Sequence, residues 1–172
     1  METCMTATAN LGQSPVRDVQ RRMIGHGMLI LLIGLLAGIG LLVSLIGGIE
    51  AWPGKLFPIG LPGDTSSWVR FHIGQLLNAF LIVLVALMLP VLGFDARGGR
   101  RIGWFTVCVG WANTLFYAAA LFAPNRALTF GDNRLGNANL ASLIGLTPAL
   151  VFAIVSVFVV VVLTRQAFRR LA

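Results

Sequence analysis

Hydrophobic residues in this chain of 172 residues are gathered into four long runs that are separated by short polar segments. The runs cover residues 28–49, 68–94, 102–122 and 141–163. A helix rises about 1.5 Å per residue, so the shortest run reaches about 30 Å, the thickness of a hydrocarbon core. The pattern therefore predicts an all-α integral membrane domain of four transmembrane helices within residues 21–172.

The segments outside these runs are polar or rich in turn residues. Residues 1–20 show no hydrophobic period and are predicted to form a flexible tail. Residues 53–63 hold three prolines and three glycines, which predicts a loop of turns after the first helix. Residues 64–67 (Asp-Thr-Ser-Ser) offer N-caps for the second helix. The first run is longer than the apolar region of a signal peptide, so we interpret it as a retained helix.

The distribution of charged residues predicts how the helices are oriented in the membrane. Only 11% of residues are charged and 57% are hydrophobic, which excludes an ordinary soluble domain. Nine arginines lie before the first run, between the second and third, and after the fourth, against four basic residues in the other two loops. Because cytoplasmic loops carry the excess of Lys and Arg, both termini are predicted to be cytoplasmic. Topology then accounts for the net charge of +7, and no nucleic-acid partner is expected.

Several kinds of chemistry are excluded or disfavoured by what the runs contain. The two cysteines, Cys4 and Cys108, form no Cys-x-x-Cys motif, which excludes covalent c-type haem and thiolate zinc sites. The six acidic residues all lie in loops or at the edges of the runs. Proton-coupled transporters usually need a carboxylate inside the membrane, so that class is disfavoured.

Neutral polar residues and one histidine suggest a site in the half of the membrane away from the termini. His72, Asn78 and Tyr117 are predicted to reach one level there, whereas His26 lies at the opposite end of the bundle. Hydrogen bonds that simply hold helices together explain the same polar residues equally well. An axial imidazole with nearby arginines (Arg126 and Arg134) is what a noncovalent haem needs, although a solvated loop also explains these arginines.

Short motifs, in a fixed order along the chain, are similar to those of a known family. The first half carries Gly25-His26-Gly27, Gly47-Gly48-Ile49-Glu50 with Pro53-Gly54, Leu61-Pro62-Gly63, and Trp68-x-Arg70-x-His72 followed by Asn78. The second half carries Gly110-Trp111-Ala112-Asn113 with Phe116-Tyr117, Pro124-Asn125-Arg126, and Leu128-Thr129-Phe130-Gly131-x-Asn133. From about residue 21 to the end of the fourth run, the chain resembles the bacterial styrene oxide isomerases.

This resemblance implies a small enzyme of the bacterial inner membrane, assembled as a homotrimer with haem b (ferric iron) at the subunit interfaces. The implied reaction converts aryl epoxides of the styrene oxide type to aldehydes of the phenylacetaldehyde type, by a Lewis-acid Meinwald rearrangement with a 1,2-hydride shift. His72 would be the axial ligand of the haem iron, and Asn78 and Tyr117 would hold the epoxide oxygen. Arg126 and Arg134 are the expected haem-binding cations.

The chain departs from the family pattern at one position and leaves two other functions open. Val109 stands where the family carries Asp before Gly-Trp-Ala-Asn, so a proton-relay or orienting role of that carboxylate has no counterpart here. The alternatives are a haem-b electron-transfer subunit and a small transporter without a cofactor. A visible absorption spectrum distinguishes the transporter, which has no haem, from the two haem proteins. Aldehyde formation from an aryl epoxide without added reductant distinguishes the enzyme from the electron carrier.

Overall fold

The computed structural model describes residues 15–169, and the remainder of the predicted N-terminal tail, residues 1–14, lies outside them. Its elements, in chain order, are α1 (Pro15–Ile46), β1 (Gly48–Trp52), β2 (Lys55–Pro58), α2 (Thr65–Val91), α3 (Ala96–Ala120) and α4 (Leu140–Ala167). The four predicted helices are confirmed, and each of them ends within about four residues of the end of its hydrophobic run. Helix α1 differs most, because it begins at Pro15 inside the predicted tail.

Three of the helices are long and apolar enough to cross a membrane: α1 from Val16, α2 and α4. These three helices indicate a multi-pass membrane protein. Helix α3 does not meet the same criterion, because arginines occupy its first turns and polar residues recur along it. Its 25 residues nevertheless extend over about 37 Å, comparable to its neighbours.

The bundle has two ends of different composition. We name the basic end as the start of α1, the α2–α3 turn and the end of α4, and the hairpin end as the strands with the α3–α4 loop. Gln166 Nε2 donates a hydrogen bond to the Leu92 carbonyl at the basic end (2.9 Å). Asn139 Nδ2 donates to the Phe122 carbonyl at the hairpin end (2.8 Å). Helix α3 therefore runs from one end of the bundle to the other.

Side-chain caps begin three of the helices. Asp64 accepts a hydrogen bond from the Ser67 amide (2.7 Å) at the start of α2, which confirms the predicted cap. Asp95 accepts from the Gly98 amide (2.8 Å) at the start of α3. Asn139 and Ser142 form a reciprocal capping box at the start of α4. These contacts satisfy amides that have no partner within the helix.

The all-α fold includes one short β-hairpin, which lies in the segment after α1 where the sequence predicted a loop. Strands β1 and β2 pair antiparallel, with Ile49 opposite Phe57, around a turn in which Gly54 has φ +80. The prolines and glycines predicted a loop of turns. Ile49, Trp52 and Phe57, which are β-branched or aromatic, flank the Pro53-Gly54 turn, and this arrangement favours a hairpin.

All four helices contribute to one apolar core, in which α4 packs along α3. The core is formed by Met23, Ile30, Ala79, Ile82, Val85, Ala86, Leu89, Ile102, Val107, Val159 and Leu163. Large apolar side chains also cover the outer surfaces of α1, α2 and α4. An outer surface of this kind suits contact with lipid or with another subunit.

Candidate active site

Helices α1 and α2 approach each other closely where α1 carries Gly34-x-x-x-Gly38. A methyl group at Gly34 would lie 2.9 Å from Gln75 Cβ, and one at Gly38 would lie 2.9 Å from Cε1 and Nδ1 of His72. Small residues at this spacing let membrane helices pack backbone to backbone. The glycines therefore make the space in which the His72 ring lies against α1.

The hydrogen bond of His72 determines the chemistry of its ring. Its Nδ1 lies 2.8 Å from the Gly34 carbonyl oxygen. A carbonyl oxygen can only accept, so Nδ1 carries the proton and donates it. In the neutral ring, Nε2 then keeps its lone pair for a metal ion. A backbone carbonyl in this position is a common support for a histidine that ligates a metal.

Asn78 and Tyr117 lie at the interface between α2 and α3. Asn113 Nδ2 donates a hydrogen bond to Asn78 Oδ1 (3.0 Å). This bond orients the Asn78 amide, and Asn78 Nδ2 remains as a donor. The Tyr117 ring lies against Gly74, where a methyl group would come within 2.8 Å of the phenol oxygen. Two hydrogen-bond donors of different type, the amide and the phenol, thus belong to one helix interface.

The predicted convergence of His72, Asn78 and Tyr117 is therefore only partly reproduced within one chain. Gly74, which Tyr117 contacts, is two residues from His72, so the tyrosine and the histidine lie at a similar level along α2. His72 contacts α1, whereas Asn78 contacts α3. Six helical residues separate them by about 120° around the helix axis. Asn78 also lies about 9 Å further along α2 than His72. The structure therefore brings Tyr117 and His72 to a similar level, but it offsets Asn78 along α2 and separates it from His72 around the helix.

Gln75 is a buried polar residue whose surroundings the sequence did not reveal. It is 0% exposed and lies between His72 and Asn78 along α2. The Thr114 hydroxyl lies within hydrogen-bond distance of two acceptors, Gln75 Oε1 (2.9 Å) and the Gly110 carbonyl (2.8 Å), which share its one proton. Gln75 Nε2 has no hydrogen-bond partner among residues 15–169. An unpaired buried amide costs about 1–3 kcal/mol, so this position carries a real energetic penalty.

The arginines expected to bind haem differ in their surroundings. Arg126 forms an ion pair with Asp64, and Arg134 is exposed on the α3–α4 loop. Desolvation raises the pKa of the Asp64 carboxyl, but hydrogen bonds from Ser67, Arg126 and Ser66 outweigh it and lower the pKa to about 2. Asp64 is thus a carboxylate at neutral pH and holds Arg126 at the start of α2.

Arg70 is a cation that the sequence analysis counted for topology and within a family motif, but did not assign to the site. It lies two residues before His72, is partly buried, and is within electrostatic reach of Tyr117, Arg126 and Asp64. Among the described residues, its guanidinium donates no hydrogen bond to an acceptor. Its position in Trp68-x-Arg70-x-His72 is the sequence signal that could have identified it.

The loop that carries Arg126 is ordered by the buried side chain of Asn125. Asn125 Oδ1 accepts from the Ala127 amide (3.0 Å) and from the Ser142 hydroxyl (2.6 Å). Its Nδ2 donates to the Thr129 and Gly131 carbonyls (2.9 and 3.1 Å). These bonds stabilise left-handed backbone at Arg126 (φ 58) and Ala127 (φ 53), which is unfavourable by about 1–2 kcal/mol per residue.

Two further residues lie away from this region. His26 contacts Trp104 and Trp111 near the basic end. As the sequence predicted, it lies at the end of the bundle opposite His72. Val109 is buried with Thr106 beside Val159 of α4. It lines a small cavity with Leu81 and Val85 of α2 as well as residues of α4, so the position at which the resemblance implies Asp lies among three helices, about 12 Å before Tyr117 along α3.

Comparison with known proteins agrees with these observations. The family model described as styrene oxide isomerase matches residues 19–168. A curated relative, the styrene-oxide isomerase of Pseudomonas fluorescens, is 38% identical over 150 residues, which cover 87% of this chain and 89% of the relative. With most of both chains aligned, the protein belongs to the styrene oxide isomerase family.

Proposed function

We propose that this protein is a membrane-bound isomerase that converts aryl epoxides to aldehydes, with styrene oxide and phenylacetaldehyde as the model pair. The name of its relative and the family match over residues 19–168 support this reaction. The observation that carries the proposal is the pair of donors, Tyr117 and Asn78, at the interface between α2 and α3, with Tyr117 at a level similar to that of His72.

We propose haem b as the cofactor and His72 as its axial ligand. The lone pair left on His72 Nε2 fits a haem, since a porphyrin supplies four ligands of its own and needs one imidazole from the protein. The nearby cations Arg70 and Arg126 suit the propionates, and exposed Arg134 is a further candidate. Ferric haem bound here would supply Lewis acidity toward an epoxide oxygen.

The roles of the protein side chains follow from the bonds that change in the reaction. The benzylic carbon–oxygen bond breaks, hydride moves from the neighbouring carbon to the benzylic carbon, and the carbonyl forms with no net gain of protons or electrons. Negative charge develops on oxygen as the bond breaks. The Tyr117 hydroxyl and Asn78 Nδ2 donate hydrogen bonds to that oxygen, and donors already in position stabilise such charge best.

The surroundings of the donor pair suit a cationic carbon that must not meet water. Asn78 is 8% exposed, and Tyr117 packs against an apolar cluster of Ala37, Phe71 and Leu121. Exclusion of water prevents hydrolysis to a diol. The reaction needs no carboxylate base, and the acidic residues lie in loops and at the edges of the hydrophobic runs.

We propose further that the protein is a homotrimer with four membrane spans and cytoplasmic termini. The orientation of His72 toward α1, away from the interface that holds Tyr117, supports a site completed by a neighbouring subunit. Helix α3 connects opposite ends of the bundle, so it crosses the membrane with its neighbours. A C-terminal reporter that is active only outside the cytoplasm would contradict this orientation.

One experiment tests the proposed reaction directly. Purified protein with its visible absorption recorded is incubated with styrene oxide in the absence of any reductant. We expect a haem spectrum and stoichiometric phenylacetaldehyde. Haem without aldehyde formation would favour the electron-transfer alternative, and the absence of both would refute the proposal.

A further inference from the structure

A cleft opens at the basic end, between the first turns of α1 and of α3, far from His72. Its volume is about 460 Å³. Arg22, Arg97 and Arg100 contribute its positive charge, and Asp18 is the one acidic residue that lines it. The motif Gly25-His26-Gly27 reaches this cleft through His26, and the proposed reaction gives that motif no role.

The charges of the cleft favour an anion. Three guanidiniums against one carboxylate leave a net charge of +2. The Asp64–Arg126 pair is the one ion pair found within residues 15–169, so Asp18 neutralises none of the three arginines at salt-bridge distance. Guanidinium groups bind phosphate oxygens through paired, charge-assisted hydrogen bonds.

His26 adds a neutral donor whose orientation the structure determines. Trp111 Nε1 can only donate, and it lies 3.2 Å from His26 Nδ1. Nδ1 therefore accepts, and the ring proton is on Nε2. Packing against Trp104, with ring centroids 5.9 Å apart, holds the ring at the cleft. A phosphate oxygen in the cleft can thus accept a hydrogen bond from His26 Nε2 in addition to the arginines.

The walls and the position of the cleft indicate what carries the phosphate. Met23, Gly103, Trp104 and Val107 form an apolar side below the arginines. A second cleft of about 330 Å³ shares Arg97, Arg100 and Trp104 and adds Phe105. A basic rim above an apolar wall, at the end of a membrane helix bundle, suits a headgroup with its acyl chain alongside.

We propose that this cleft binds the phosphate headgroup of an anionic phospholipid, held by Arg22, Arg97, Arg100 and His26. Free phosphate offers the same anion but makes no use of the apolar wall. The occupant is therefore a lipid, and its binding does not depend on the proposed epoxide chemistry.

The test measures lipid binding to the full chain in a neutral detergent by native mass spectrometry, with thermal unfolding as a second readout. Phosphatidylglycerol, phosphatidylcholine and inorganic phosphate are titrated separately. The test variant is Arg97→Gln/Arg100→Gln. The matched control is Arg21→Gln/Arg165→Gln, which removes the same charge from exposed positions at the same end that do not line the cleft.

We expect phosphatidylglycerol to bind in preference to phosphatidylcholine and to raise the unfolding temperature of the wild type and the control. Each arginine removed from the cleft should weaken binding about fivefold, so the test variant should bind about 25-fold more weakly. His26→Phe should weaken binding less, through the loss of one donor. If lipid binding weakens equally in the test and control variants, the effect comes from net charge alone and the proposal is overturned. Inorganic phosphate that binds as tightly as the lipid would overturn the assignment to a lipid.

Discussion

The two histidines of the chain have opposite hydrogen-bond arrangements. At His72, Nδ1 donates to the Gly34 carbonyl (2.8 Å), which leaves Nε2 with a lone pair. At His26, Nδ1 accepts from Trp111 Nε1 (3.2 Å), which leaves Nε2 with a proton. The first ring is therefore prepared to bind a metal, and the second to donate a hydrogen bond.

The difference comes from the neighbours of each ring and not from the histidines themselves. His72 lies over glycines, where the backbone of α1 is close enough to accept a hydrogen bond. His26 lies between two indole rings, and the Trp111 indole can only donate. A histidine in a membrane helix can thus be assigned a role from the one partner that fixes its tautomer.

The largest effect expected concerns haem itself. We predict that His72→Ala loses nearly all bound haem, because it removes the imidazole lone pair on Nε2 that is proposed to ligate the iron. His26→Ala should keep most of its haem, since its ring has no free lone pair in this arrangement. Haem per protein, measured from the visible spectrum of folded samples, checks the comparison. Equal loss in both variants would contradict the assignment of the two rings.

The turnover rate provides the next test, because it distinguishes the proposed hydrogen-bond donors, Tyr117 and Asn78, from the proposed haem ligand, His72. Tyr117→Phe should keep its haem and fold but lose about 10²–10³ in rate, the usual effect of removing one donor to a developing oxyanion. Asn78→Ala should also slow turnover. Rate per bound haem is measured beside thermal stability. Wild-type rates per haem in both variants, with lowered stability, would show that these residues only hold helices together.

A smaller effect is expected where His72 meets α1. A methyl group in Gly38→Ala would lie 2.9 Å from the His72 ring, so the ring or the helix must shift. Overpacking of this kind costs about 1–3 kcal/mol, and we expect weaker haem retention together with a lower unfolding temperature. Gly25→Ala is the control, since nothing lies within 4 Å of that position. A haem titration of both variants that gives the same affinity would rule out this contact as the support of His72.

The smallest effect is expected on stability, when the aspartate caps at the two ends of the bundle are replaced. Asp64→Asn keeps a capping side chain but loses the Arg126 ion pair, so it should lower stability by up to about 1 kcal/mol at pH 7. Asp95→Asn, whose side chain forms no ion pair among the described residues, should change stability less.

The pH dependence of the same pair sharpens this prediction. The pKa of Asp64 falls from its usual 3.8 to about 2, so its contribution is complete above pH 3.8 and is lost as the pH falls through 2. Unfolding temperatures of wild type and Asp64→Asn should therefore converge in that range. A difference that persists unchanged to pH 2 would mean that the carboxylate charge is not its cause.

Much of the fold follows from local pattern. The hydrophobic runs predicted all four helices, because burial in lipid requires a continuous apolar segment of sufficient length. Asp64 was recognisable as a cap, since capping depends on residues three apart in sequence. The hairpin was missed, because its prolines and glycines predict turns more strongly than its short apolar runs predict paired strands.

The arrangement of the candidate site is determined only in part by the sequence. Helical spacing by itself indicated the similar level of His72 and Tyr117 along their helices, because depth depends only on rise per residue, but it did not indicate that Asn78 lies about 9 Å from His72 along α2. Which side of α2 each residue uses was decided by the packing of α1 and α3. The tautomers of His72 and His26, the ion pair of Arg126 and the unpaired amide of Gln75 also required the tertiary structure. Each depends on a partner that is distant in sequence, and no local pattern specifies such a partner.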